Sequence, residues 1–332
     1  MTPTHRPSSR QRGAALLAAM LTVALVATLA ASALWQQWQT TEIEGAERQR
    51  AQARWLLNGA LDWARVILRE DARASGTNAN TDHLAEPWAV PLQEARLSSF
   101  LSSLPDGSAD VEDTRLTQQV FLSGQISDLQ ARLNVHNLLQ GDKIDNVALA
   151  TFERLFDALG VPPQQLQLLT QGLQAAQRQS EGAPLMPQRV SQLAWFGLSP
   201  ATLALLEPHI TLLPSSTPVN VNTASVQVLY ASVPGLSMSS AQRLVSQRAS
   251  THWPTLDAFQ QAAARTNLQN THSVNTHFFE ALGRLRMPHT TLLERSLVQR
   301  DESNVKVLWR DSGQWTQASP NTPYRGGLAS LQ

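Results

Sequence analysis

The chain has 332 residues, with Lys+Arg 26 against Asp+Glu 26, a formal net charge of +0 and no cysteine. That length accommodates two modest domains beyond a membrane segment. The charge balance counts mildly against a dedicated nucleic-acid binder, which carries a basic excess, and the lack of cysteine excludes disulfides and thiol chemistry.

Arg6, Arg10 and Arg12 lead into Gly13-Ala14-Ala15-Leu16-Leu17, and no charged side chain follows before Glu42. An uncharged apolar run of that length crosses a bilayer as one helix. Basic residues on its near side hold that end in the cytosol and place the rest of the chain across the membrane. Three fates fit the segment. Ala31-Ser32-Ala33 supplies a small-x-small site for a cleaved secretory signal. Neither glycine nor proline stands between Gly13 and Gly45, however, and helix formers continue through Arg48, so that cut would divide a continuous helix. An uncleaved anchor is the second fate, and a cut at the cytosolic edge, after Gly13, is the third.

Basic leader, glycine, small first residue and a helix that runs on out of the membrane together resemble the class III signal of type IV pilins and type II secretion pseudopilins. The resemblance implies that a prepilin peptidase cuts between Gly13 and Ala14 and that the new amino terminus at Ala14 is methylated. Most members carry glutamate at the fifth mature position, where this chain has Ala18. A carboxylate in the bilayer needs a partner, and in these fibres the resemblance implies that it meets the amino terminus of the subunit ahead. A subunit without it can go without a neighbour ahead. In this the chain resembles the K-type minor pseudopilin, the general secretion pathway protein K family.

Beyond the membrane the helix runs to about Ala74, with Trp55, Leu56, Ala60, Trp63, Ile67 and Leu68 on one side for packing on a globular domain. Ser75-Gly76-Thr77-Asn78 ends it. Pro87 to Gly107 reads as a loop and a short helix, and Leu116 to Gly124 as a strand. The run Ile126-Ser127-Asp128-Leu129-Gln130-Ala131-Arg132-Leu133-Asn134-Val135-His136-Asn137-Leu138 follows. It is similar to the stretch at which the sheet domain of K-type members gives way to an inserted helical domain. Asp128 and Arg132 can pair across a turn, in a structural role.

From about Asn134 to Asn270 the pattern is helical. Thr151 to Leu159, Pro163 to Arg178, Val190 to Trp195 and Pro200 to Leu206 carry apolar residues at helical spacing, broken at Gly160-Val161-Pro162, Gly182-Ala183-Pro184 and Gly197. Val219-Asn220-Val221-Asn222-Thr223-Ala224-Ser225, Val233-Pro234-Gly235-Leu236-Ser237 and Ala241 to Arg248 then read as a helix-hairpin-helix, with Asn222 or Thr223 as first cap and Pro234-Gly235 as the turn. Such hairpins also hold phosphates on backbone amides, so a membrane-anchored DNA-binding protein resembling a competence receptor is the alternative function. Ser237 stands where the second glycine of that turn belongs, which weakens it. Ser273 to Arg286, Thr290 to Arg300 and Val305 to Arg310 read as strands, Asp301 to Asn304 as a hairpin turn, and the residues from Asp311 as a loose tail.

No Gly-x-Ser-x-Gly elbow, His-Glu-x-x-His pair or phosphate loop is present, and His272 with His277 is too few ligands for a metal, so the chain reads as no enzyme. K-type members are associated with calcium and carry an acidic stretch where this chain has Thr170 to Ala176, which puts calcium in doubt. Asp142 and Asp145, or Asp301 and Glu302, are candidates elsewhere, though solvated surface acids are the plainer reading.

The expectation is an α+β fold: a long N-terminal transmembrane helix, a pilin-like α/β domain with an antiparallel sheet, and a large inserted all-α domain with helix-hairpin-helix, SAM-like modules. Its parts are a prepilin leader (1–13), a membrane and amphipathic pilin helix (14–75), a discontinuous pilin-like domain (76–133 and 271–310), the helical insert (134–270) and a flexible tail (311–332). The resemblance implies an inner-membrane, single-pass minor pseudopilin with a periplasmic head that starts and caps the pseudopilus for export across the outer membrane. Its partners would be I-type and J-type minor pseudopilins, the prepilin peptidase and the inner-membrane assembly platform, with exported proteins and the outer-membrane secretin as further candidates and nucleic acid not among them. No cofactor is expected.

Overall fold

The computed structural model of the chain describes residues 10–74, 81–102, 119–179, 182–288 and 291–315. The leader before Arg10, the helix-ending Ser75 to Asn78, the segment with Pro105 to Leu116, Thr290 and the tail from residue 316 lie outside these. Helix α1 (Arg10–Ala74) opens the chain. Residues up to Leu56 form one compact unit and those from Leu57 a second. In the first unit the apolar side chains from Leu16 to Ile43 are exposed, Leu21 at 70%.

In the second unit α1 buries Leu57, Leu61 and Leu68, with Ala64 and Ile67 beside them. This stripe is rotated from the expected one. Trp55 is exposed and Trp63 only half-buried, because at 3.6 residues per turn Trp55 points about 200° away from Leu57.

The stripe packs on a five-stranded antiparallel sheet of β1 (Leu92–Arg96), β2 (Phe121–Asp128), β3 (Phe278–Arg286), β4 (Thr291–Asp301) and β5 (Asn304–Trp315), in that spatial order. Alternation buries Ile126, Phe279, Ala281 and Val298 against α1, where Trp88 meets Phe279 edge to face at 5.2 Å. β1 is an element the sequence did not suggest, since Leu-Gln-Glu-Ala-Arg lacks alternation; pairing with β2 orders it, and the short helix α2 (Leu97–Ser102) follows. The expected tail is corrected from its start: Asp311 to Trp315 pair with Arg295 to Thr291 as the end of β5. The eleven-residue β4 presents backbone groups along its whole length, and a polar edge strand satisfies them. Glu302, at φ 51°, makes the β4–β5 turn.

Between β2 and β3 the chain is largely helical: α3 (Asn146–Ala158), α4 (Pro163–Gln177), a 3-10 turn at Val190–Phe196, α5 (Pro200–Leu206), α6 (Val226–Ser232), α7 (Met238–Ser250) and α8 (Leu256–Ala263). Asp145, Ser199, Ser225, Ser237 and Thr255 cap α3, α5, α6, α7 and α8 in turn, each accepting a backbone N–H of the first turn. These helices enclose their own core, with Phe152, Phe156, Leu169, Leu193, Leu229 and Phe259 almost fully buried.

Candidate functional site

The exposed half of α1 is built for an apolar surrounding. Its most apolar window has a mean hydropathy of 2.3 with none of it buried. The hydroxyls of Thr22, Thr28, Ser32, Thr40 and Thr41 each donate to a carbonyl three or four residues back, so these hydroxyls need no water. Gly13, Ala14 and Ala18 all lie within this helix, Ala14 and Ala18 exposed. An N-terminal apolar helix of this kind fits anchoring in the inner membrane.

The helix-hairpin-helix forms at α6 and α7, with Gly235 at φ 70° in the turn. The cap is Ser225 rather than Asn222 or Thr223, because those two are committed elsewhere. Asn222 exchanges two hydrogen bonds with the backbone of Trp253, and Thr223 donates to Asp128 at 2.6 Å. Three arginines around the turn are committed to the backbone, Arg154 donating to the carbonyls of Val233 and Leu236, Arg265 to those of Pro234 and Gly235, and Arg248 to that of Val221, while Arg243 is exposed and donates to Ser240. The first three brace the turn and are not presented to a phosphate.

Asp128 is the hub of the junction between sheet and insert. Buried at the end of β2, it accepts from the backbone of Gln130, from Asn220 Nδ2 at 3.0 Å and from Thr223. Burial pushes its carboxyl up to about 6, against the pull of these donors. No ion pair joins it to Arg132 among the described residues, so the expected pairing is corrected. Asn220 continues the network to the carbonyl of Asp82, whose carboxylate accepts from the backbone of Thr276 and from Arg300. Arg300 also binds Asp71 of α1 at 2.8 Å. Downstream, Asn134 joins Leu213, Ser215 and Thr217, and Asn137 exchanges bonds with Thr217. The motif at Asp128 to Asn137 is thus a stitch between distant segments. Asp82, Asn220 and Arg300 went unsuspected in the sequence, since no local pattern marks polar residues that become buried.

Asp71, Asp82 and Glu86 bring carboxylate oxygens within 4.8 Å of one another. A guanidinium already bridges the first two, and Glu86 accepts from the backbone of His83 and the indole of Trp88. At Thr170 to Ala176 no carboxylate exists, Leu173 and Ala176 are buried, and the Thr170 hydroxyl returns to its own helix. Asp145 is spent as a cap, Asp142 lies 3.9 Å from Arg178, and Asp301 accepts from Gln299. These residues do not fit a calcium ion, which requires several free oxygens. His272 and His277 are each occupied within the fold, His272 with Ser232 and His277 with Gln130 and Arg300.

Two family models, both described as type II secretion system (T2SS), protein K, match residues 131–215 and 219–276. The type II secretion system protein K of Pseudomonas aeruginosa is 26% identical over 94% of this chain and 96% of its own. Over nearly its whole length the chain is similar to the type II secretion system protein K family. The protein K of Klebsiella pneumoniae is 28% identical over 92% of this chain and 97% of its own. Among solved structures, the GspK-GspI-GspJ complex from the enterotoxigenic Escherichia coli type 2 secretion system aligns at a TM-score of 0.60, with 20% identity over 81% of this chain and 98% of that one. That likeness is one of fold. The family and relative matches support a type II secretion minor pseudopilin.

Proposed function

We propose that this K-family chain starts the secretion pseudopilus and stays at its tip. The observation that carries the reading is Ala18: the apolar half of α1 offers no carboxylate to a subunit ahead of it, so the fibre has nothing to extend past this chain. The helical insert, larger than the sheet domain it interrupts, adds bulk that keeps another head from stacking above. α1 anchors the chain in the inner membrane with its head in the periplasm, after a prepilin peptidase has cut between Gly13 and Ala14 and the Ala14 amino terminus has been methylated. The related complex holds GspI and GspJ with GspK, which supports I-type and J-type minor pseudopilins as lateral partners here. The assembly platform below and the secretin and exported proteins above complete the set. The role is mechanical, and the commitment of Arg154, Arg248 and Arg265 to backbone carbonyls speaks against the DNA-binding alternative. The same reading makes the chain independent of calcium, with Arg300 supplying the charge that the Asp71–Asp82 pair requires.

Gly13→Leu tests it. The expected result is an uncut precursor and loss of secretion; normal processing and export from this variant would overturn the reading.

A further inference from the structure

On the face of the sheet that meets α1, one cross-strand row runs Gly124, Gly283, Glu294, Ser312. Two glycines in register leave a trough, walled on one side by the row of Leu122, Leu285 and Leu292. A cavity of about 270 Å³ occupies it, covered by Leu61 and Ala64 of α1 and by Trp88, and reaching Val90 at its mouth. A Cβ at Gly283 would stand 3.1 Å from the Leu57 side chain, a tight contact that would narrow the space.

Glu294 lines this cavity and is 6% exposed. Its Oε2 accepts from Ser312 at 3.2 Å, while its buried Oε1 has no hydrogen-bond partner among the described residues. Buried acceptors are rarely left unmade, because each loses its water without compensation. A carboxylate only accepts, so whatever fills the trough must bring a donor. An apolar passage opened by missing side chains suits an unbranched aliphatic stem, and the donor that pairs most strongly with a carboxylate at the end of such a stem is an ammonium. The mouth adds a second requirement. Val90 and Leu92 are 66% and 37% exposed, and a small free amine would leave that apolar rim wet, whereas a polypeptide segment covers it.

We infer that this trough is a docking site for a lysine side chain, flanked by apolar residues, of a partner subunit, with its ammonium on Glu294. The inference rests on the assembly reading above only for the source of the lysine. The test uses the full chain in lipid nanodiscs and titrates a blocked pentapeptide carrying one lysine between two leucines, its Nε-acetylated form, and n-butylamine. The free lysine peptide is expected to bind at least about tenfold tighter than the acetylated one, the worth of a buried charge-assisted hydrogen bond. Glu294→Gln, nearly isosteric, should erase that ratio. Gly283→Ala, which narrows the trough and leaves the carboxylate in place, should weaken the lysine peptide by a similar factor, so the result does not depend on one variant's folding. Equal binding of the two peptides, or an unchanged ratio in Glu294→Gln, overturns the inference. So does n-butylamine binding as tightly as the peptide, which would make the occupant a free amine, or binding that emerges only after residues 316–332 are removed, which would make it the chain's own tail. Failure of these titrations with I-type and J-type partners still co-purifying defeats the pocket alone; failure of the wild-type chain to co-purify with them defeats the assembly reading.

Discussion

At Glu86 burial and hydrogen bonding pull in opposite directions. The His83 N–H and the Trp88 indole N–H both favour the carboxylate, yet removal from water prevails and raises its pKa from 4.5 to about 7. A folded-state pKa above the unfolded one means that the folded protein holds the proton more tightly. The stability this supplies is complete below pH 4.5 and is lost as pH rises through about 7. His272 works the other way: burial lowers it from 6.5 to about 4, so its contribution is complete above pH 6.5 and lost as pH falls toward 4. Because the two windows overlap, the test is a difference. The melting temperature of Glu86→Gln minus that of wild type is expected to rise between pH 4.5 and 7 and level off above; a flat difference would show that Glu86 does not titrate in this window. Side chains such as these are hard to read from sequence. Asp128 invited pairing with Arg132, four positions on, but its partners Asn220 and Thr223 stand 92 and 95 residues away. Local spacing gives no sight of them.

Helices and strands were far more legible than side-chain partners. α4 and α5 and the Val190 turn lie within a residue or so of where apolar spacing, proline and glycine place them, because those signals act within one or two turns of chain. The elements that escaped owe their order to neighbours: β1 to the open edge of β2, the far end of β5 to β4. One residue of α4 also carries a packing constraint that helix propensity alone would misjudge. Gly172 faces the 3-10 turn, and a Cβ there would lie 2.3 Å from Cγ of the buried Phe196. In an open helix Gly→Ala stabilises by up to about 1 kcal/mol. Here the overlap must move a ring in a closed core, which costs about 1–3 kcal/mol, so Gly172→Ala is expected to lower stability. Denaturant midpoints would check the sign, and adding Phe196→Leu should recover part of the loss by making room; a stabilised single variant would refute the contact.

Across the whole molecule, Arg300 ties together parts of the chain that share no local relation. From β4 it reaches Asp71 of α1, 229 residues back, and Asp82, 218 residues back, with Arg300 and Asp82 buried and Asp71 half-buried. Removing the cation strands two carboxylates, so Arg300→Met is expected to cost about 3–5 kcal/mol. Replacing both acids as well, in Asp71→Asn/Asp82→Asn/Arg300→Met, should restore most of that loss in the same unfolding measurement, since the neutral set has no charge to strand. An equal loss in single and triple variants would mean that the arginine acts by packing alone. Properties carried by neighbouring residues were readable without coordinates: the uncharged run that fits α1 for a membrane, Ala18 in place of an acid, the alternation of β3 and β4, the glycine and proline breaks of the insert. These depend on hydropathy and on backbone preferences within a few positions. The meeting of Asp71, Asp82 and Arg300, the Asp128 hub, and the glycine trough with its buried Glu294 were decided only in three dimensions. Each brings together residues whose contact is set by strand order and by the long excursion between β2 and β3, and no pairwise term short enough to leave a trace along the chain connects them.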